Sequence, residues 1–161
     1  MGNPTLKSFY TARRMRKQMD DIMACVDSLL FLPVRNHPGD AGADLRSTID
    51  VDIFPGQTVR ISTGIKLAIP YGYVGLVFPR SGLATRKGIR LANSVGVVDS
   101  GYRDYIYVPL VNESDLVYRV SRGDRIAQLL IVPVALPGFM AVESLSETSR
   151  GEGGFGSTGI A

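Results

Sequence analysis

The chain reads as an all-β domain, a sandwich or barrel, on three observations. Short apolar stretches recur from Leu32 onward, each closed by residues that favour turns, the pattern of antiparallel strands. The turns follow too closely for the crossover helices of βαβ units. The length of 161 residues, 45% apolar and 20% charged, suits one domain, which at this size buries roughly 70% of its unfolded surface.

Taken in order, residues 1–20 stand apart as a basic extension. Lys7, Arg13, Arg14, Arg16 and Lys17 fall within the first 19 residues with no acidic residue among them. Met15, Met19, Ile22, Met23, Val26, Leu29 and Leu30 follow three- and four-residue steps suited to an amphipathic helix. Ile22 to Val26 equally suit a short strand, and periodicity alone leaves both open. Strands are expected over 51–54, 58–61, 65–69, 73–78, 106–111, 116–120, 126–134 and 139–142. Pro55-Gly56, Pro70-Tyr71-Gly72, residues 112–115, residues 121–124 and Pro137-Gly138 separate them. Pro109 and Pro133 favour edge or bulge positions. Residues 150–161 are rich in glycine and lack core-forming side chains. The division is therefore an extension over 1–20, a β domain over 21–149 and a flexible arm over 150–161.

Composition narrows the chemistry. Removing the five basic residues of the extension from a total of 18 leaves 13 against 15 acidic ones, so the net charge of +3 becomes a domain near −2. Such a domain has no global basic face for nucleic acid, which is expected as a partner only through the extension. The single cysteine, Cys25, excludes an internal disulfide and a cysteine-built metal site. The single histidine, His37, excludes His-rich zinc sites and suits a loop beside Pro38-Gly39. No apolar run reaches the ~18 residues of a membrane helix, and no signal peptide opens the chain. No membrane partner is expected, and the expected location is cytoplasmic, or an organelle if residues 1–20 act as a transit segment.

Two motifs are decoys. Residues 151–156 spell G-x-G-x-x-G, but only five residues follow, too few for the helix a dinucleotide site requires. Arg122-Gly123-Asp124 reads as a turn entering a strand. No P-loop pattern occurs.

Five clusters interrupt the β pattern: residues 40–45, 79–84, 96–103, 123–128 and the tail from Arg150. Singly, each has a structural explanation. Ser81 caps a helical turn, Asp99-Ser100-Gly101 forms a turn, Gln128 is a satisfied amide, and the tail is a linker. Together they supply the parts of a triphosphate site. Arg80 and Arg150 are forked donors for phosphate oxygens. Ser81 and Gly82 offer a hydroxyl and an approachable backbone N–H. Gly153, Gly154 and Gly156 let a tail wrap a ligand, Ser157 and Thr158 supply hydroxyls, and Phe155 supplies an aromatic face for a base. Asp99 is a carboxylate able to orient and deprotonate water, and Asp44 suits metal-bound waters of Mg²⁺.

In this order the clusters resemble the five motifs of the trimeric deoxyuridine triphosphatase (dUTPase) family: A-G-x-D-L, P-R-S-G-L-A, G-V-V-D-S-G-Y-R, G-D-R-I-A-Q-L and R-G-E-G-G-F-G-S-T-G. The resemblance runs from about Ile22 to the end. It implies a β jelly-roll subunit in a homotrimer, with active sites at subunit boundaries and a C-terminal arm reaching a neighbour. The implied reaction is dUTP and water giving dUMP and pyrophosphate, by attack at the α-phosphorus. This limits uracil in DNA and supplies dUMP for dTMP synthesis.

Carried over by position, Asp99 is the general base and Tyr102 packs on the deoxyribose, leaving no room for a 2′-hydroxyl. Arg80, Ser81, Gly82 and Gln128 hold the phosphates; Arg150, Ser157 and Thr158, beside Gly156, close on the γ-phosphate, and Phe155 covers uracil. Asp44 acts in the outer shell of phosphate-bound Mg²⁺. A hairpin reads the base through main-chain atoms at Gly96 and Tyr107, where cytosine would leave buried polar groups unpaired at ~1–3 kcal/mol each. Asn93 braces this hairpin or contacts the base.

The sequence departs from the family at Asp104-Tyr105, where Gly-Glu or Gly-Asn is usual. Should that position require positive φ, aspartate is among the better substitutes. The alternatives are a dCTP deaminase-type enzyme or a nucleotide-binding regulatory protein on the same fold.

Overall fold

The computed structural model describes residues 21–149 and 151. The expectations for the extension 1–20, and for Arg150, Phe155, Gly156, Ser157 and Thr158, lie outside those residues.

Among the described residues eleven strands and one α-helix succeed one another: β1 (Ala24–Val26), β2 (Ala43–Arg46), β3 (Val51–Ile53), β4 (Thr58–Ser62), β5 (Ile65–Leu67), β6 (Tyr73–Pro79), α1 (Ser81–Lys87), β7 (Ile89–Leu91), β8 (Gly96–Val98), β9 (Tyr107–Asn112), β10 (Tyr118–Val120) and β11 (Arg125–Pro133). Within the stretch left open at 22–26, Ala24–Val26 form a strand paired antiparallel with β5. A four-stranded sheet runs β2-β11-β6-β8 and a three-stranded sheet β4-β9-β7, with ribbons β1-β5 and β3-β10. All pairs are antiparallel, and among the described residues none joins strands consecutive in the chain.

One core joins these layers. Leu45, Ile53, Ile61, Ile65, Val108 and Leu110 are essentially inaccessible to solvent, and such burial stabilises by about 1.5–3 kcal/mol per large side chain. A 3-10 turn at Leu29–Phe31, capped by Ser28, drops Phe31 into the same core. Buried polar side chains are satisfied. Thr63 Oγ1 donates to Ile106 O at 2.7 Å, and Asn112 Nδ2 donates to Ile53 O and Leu116 O at 2.8 and 2.7 Å.

Three expectations are corrected. Pro109 lies in β9, the central strand of its sheet, not at an edge. Its carbonyl accepts from Ala92 N, one residue beyond β7. Because N and C=O of one residue face the same neighbour in an antiparallel ladder, the missing donor falls where that ladder ends. Pro133 closes β11, which fits its lost donor, while the bulge of that strand lies between Arg125 and Ala127. Residues 139–142 are not a strand in this chain, and Phe139 and Met140 are fully or mostly exposed. Among the described residues no helix is long and apolar enough to cross a membrane.

The 121–124 turn is as expected: Asp124 N donates to Ser121 O, and Gly123 takes a φ of 91° that favours glycine.

Candidate active site

A cleft of about 1160 Å³ opens on the outer face of the four-stranded sheet, where β2, β11 and β6 meet α1. Strand alternation places Asp44, Gln128 and Phe78 side by side there, since Gln128 is opposite both Asp44 and Phe78. Four basic side chains, Arg80, Arg86, Lys87 and Arg125, line it against two acidic ones, Asp40 and Asp44. Asp44 is the hub. Its Oδ1 is 3.1 Å from Arg80 Nε and its Oδ2 3.2 Å from Arg125 Nη1. Arg80 Nη1 also donates to Arg125 O at 3.3 Å. A carboxylate between two guanidinium groups offsets their repulsion and fixes both forks.

Gln128 is held with equal definition. Its Nε2 donates to Pro79 O at 3.0 Å, and its Oε1 lies where a Cβ on Gly42 would come within 2.6 Å. A side chain at position 42 would have to push this amide aside. Ser81 is the first residue of α1 and is not its cap; Arg80 is the N-cap and supplies no side-chain capping bond. The Ser81 and Gly82 amides therefore begin the helix with no intrahelical acceptor, facing the basic cleft. A Gly88 C-cap at φ 66° and Arg86-Lys87 in the last turn end this helix.

A second cleft of about 290 Å³ is lined by Val77, Asn93, Gly96, Val97, Val98, Asp99, Tyr102, Tyr105, Ile106 and Tyr107. The expected hairpin is absent: β8 belongs to the four-stranded sheet and β9 to the three-stranded one. They splay apart instead of pairing, and the gap is the cleft. β8 is an edge strand. Tyr107 shares the orientation of Pro109, two residues on, so its N–H and C=O face the β7 side. β7 pairs only with residues 110–112, so it does not reach these groups. Asp99 directly follows β8 and starts a turn closed by Tyr102 N to Asp99 O at 3.1 Å. Asn93 lies in the turn before β8, against Gly96; a Cβ at position 96 would lie 3.1 Å from Val77 Cβ and 3.6 Å from Asn93 Nδ2. Arg60 covers the Tyr107 ring at 4.6 Å.

The dUTPase family model matches residues 30–159. The chain belongs to the dUTPase family. A deoxyuridine 5′-triphosphate nucleotidohydrolase of Rhodococcus erythropolis is 51% identical over 135 residues, covering 83% of this chain and 82% of that protein. One from Corynebacterium diphtheriae is 50% identical over 136 residues, covering 84% and 90%. Among solved structures, the dUTPase of Staphylococcus bacteriophage 80alpha with dUPNHPP superposes with a TM-score of 0.81 at 31% identity, covering 88% of this chain and 100% of that one. A mutant dUTPase from phage phi11 of S. aureus, described with a structural Mg(II) ion, gives 0.70 at 28% identity, covering 78% and 98%. The β fold of this dUTPase is thus the expected jelly roll, and nothing here favours a deaminase.

The dUTPase sequence motifs fall into two groups in space. Asp44, Arg80, Ser81, Gly82 and Gln128 share the basic cleft, whereas Asn93, Gly96, Asp99, Tyr102 and Tyr107 share the second. The motif reading missed Arg125, although it stands within the quoted G-D-R-I-A-Q. It also missed Arg86 and Lys87, whose signal was the basic end of a short helix. Asp104 does not take positive φ; among described residues other than glycine only Ser94 does, at 61°. The Asp104 carboxylate instead accepts from Tyr105 N at 2.8 Å and pairs with Lys66 at 3.4 Å. Among the described residues no three His, Cys, Asp or Glu side chains form a metal-binding group.

Proposed function

We propose that the second cleft takes deoxyuridine, the basic cleft takes the phosphate chain, and the complete site forms where copies of the chain meet. The chain is a dUTP diphosphatase: dUTP and water give dUMP and pyrophosphate. The carrying observation is the gap between β8 and β9, where the unpaired main chain of Tyr107 stands with Gly96, Asp99 and Tyr102. A main-chain N–H and C=O held by two sheets make a rigid reader of the uracil edge. Cytosine reverses that donor–acceptor pattern and leaves buried groups unpaired.

Asp99 accepts a proton from water as the water oxygen bonds the α-phosphorus, and the bond to the α,β-bridging oxygen breaks, releasing pyrophosphate. Arg80, Ser81, Gly82 and Gln128 hold the phosphates, and Arg125 holds Arg80 in place through Asp44. Mg²⁺ carried by the triphosphate, when bound, neutralises charge on its oxygens. Arg150, Ser157 and Thr158 close on the γ-phosphate, Gly156 permits that approach, and Phe155 covers the base.

Assembly as a homotrimer is supported by the outer sheet face. Beyond the cleft, Leu76 and Val74 of β6 lie opposite Leu130 and Val132 of β11, an apolar stripe on the side away from the core. The extended segment 134–149 carries exposed Leu136, Phe139, Met140 and Leu145, which suits an arm laid on a neighbour. The test is pyrophosphate release from dUTP, dTTP, dCTP and UTP, with oligomeric mass measured alongside. Release from dUTP by a trimer is expected. The substitution Asp99→Asn keeps shape and loses basicity, so turnover should fall at least about 1000-fold with dUTP binding retained. Near-normal turnover would remove Asp99 from its role.

A further inference from the structure

We propose that Asp27, Lys66, Asp104 and Tyr105 are positioning residues that clasp the 99–106 loop and thereby set discrimination against a 2′-hydroxyl by Tyr102. The inference rests on the reading of Tyr102 as the residue against the sugar. It concerns side chains to which the catalytic motifs assign no role, two of them at the positions where the sequence departs from the family.

Tyr102 has little to hold it. Its ring is two-fifths exposed, and its hydroxyl donates to the main-chain carbonyl of Tyr105 at 2.8 Å. The ring is therefore placed only as firmly as Tyr105 is. Tyr105 is tied at three points. Its hydroxyl donates to Asp27 Oδ1 at 2.7 Å, Lys66 Nζ stands 4.3 Å from its ring centroid, and its amide donates to Asp104 Oδ1. Lys66 also pairs with Asp104 at 3.4 Å, so one cation bridges the two departing residues. The anchors sit on sheet backbone: Asp27 follows β1 and its N–H bonds Gly64 O, while Lys66 lies in β5 opposite Cys25. At the loop's end Ile106 N donates to Ile65 O, and Thr63 N donates to Ile106 O.

The chemistry keeps this arrangement formed near neutral pH. The bond to Asp27 raises the pKa of the Tyr105 hydroxyl above its ordinary value, so it remains a donor. The Tyr105 amide, then Lys66, hold the Asp104 carboxyl below the usual carboxylate range, so it remains an acceptor. Rejection of one added hydroxyl depends on a wall that does not yield. A ring whose far-end partner can drift by a few tenths of an ångström loses selectivity before it loses activity.

The test is kcat/KM for dUTP and for UTP in the full-length wild type, Tyr105→Phe, Tyr105→Ala, Asp27→Ala and Asp27→Asn, with thermal melts of each. The dUTP-to-UTP ratio should fall about threefold in Tyr105→Phe and Asp27→Ala and about tenfold in Tyr105→Ala. Asp27→Asn keeps an acceptor oxygen and should restore most of the ratio. A ratio unchanged in all variants, or equal proportional losses on both nucleotides, overturns the inference. If Tyr105→Ala fails to fold, Tyr105→Phe and Asp27→Ala alter only an exposed contact and decide the matter. A wild type that leaves dUTP intact overturns the functional reading itself; a selective wild type with unaltered variants overturns this inference alone.

Discussion

Gly42→Ala offers a sharp test of how the basic cleft is built. The new Cβ would lie 2.6 Å from Gln128 Oε1 and 3.3 Å from Gln128 Cβ. It falls short of an ordinary contact near 3.4 Å by about 0.8 Å at the amide oxygen. The β11 backbone is fixed by pairing on both sides, to β2 and to β6, so the side chain must yield. A shift of that size takes Nε2 out of reach of Pro79 O, now at 3.0 Å. The expected stability cost is about 1 kcal/mol, the low end for overpacking, because the displaced group is the end of a flexible chain. That corresponds to roughly 2–4 °C in Tm. Activity should suffer more, since the displaced amide is a phosphate-holding group. A fall of about tenfold in kcat/KM for dUTP is expected. The assay is pyrophosphate release by Gly42→Ala, Gln128→Ala and the double variant. If the methyl acts through Gln128, the double variant is no worse than Gln128→Ala alone. Fully additive losses would refute the reasoning and place the role of Gly42 elsewhere.

Three further outcomes are expected. Asn112→Leu should cost about 2–4 kcal/mol, because it strands Ile53 O and Leu116 O as well as the Ser114 amide and hydroxyl that bond Asn112 Oδ1; a Tm within about 2 °C of wild type would contradict this. The Arg90 side-chain bond holds the Glu113 carboxyl below its usual 4.5, so its contribution is present above that pH and is lost as pH falls through the lower folded value. The stability gap between wild type and Glu113→Gln, measured by urea midpoints at pH 7 and below pH 4, should therefore narrow on acidification; a constant gap speaks against the linkage. Deleting residues 150–161 should suppress hydrolysis while the trimer persists by light scattering, and a truncated enzyme of normal rate would remove the arm from the site.

Much of the strand order was legible because apolar alternation and turn residues act locally. β3, β4, β6, β9 and β11 lie within a residue or two of the stretches expected from the apolar pattern. The failures share a cause. Residues 139–142 have strand composition but no partner strand among the described residues, and a strand needs a partner to satisfy its backbone. Pro109 reads as an edge residue until the length of β7 is known. Helix α1 is a single short segment whose Leu83 packs on the core, too brief to show a period.

The one-dimensional order of residues was enough to name the chemistry, since Asp99, Arg80, Ser81, Gln128 and Tyr102 each carry their donor or acceptor character wherever they sit. It also settled the strand-rich architecture, because alternation and turn propensity are properties of neighbours along the chain. Folding alone decided how those groups are shared between two clefts, that β8 and β9 part to leave main-chain edges unpaired, and that Asp44 is clamped between Arg80 and Arg125. These are relations across gaps such as the 81 positions from Asp44 to Arg125, and no local preference encodes a distance between residues so far apart.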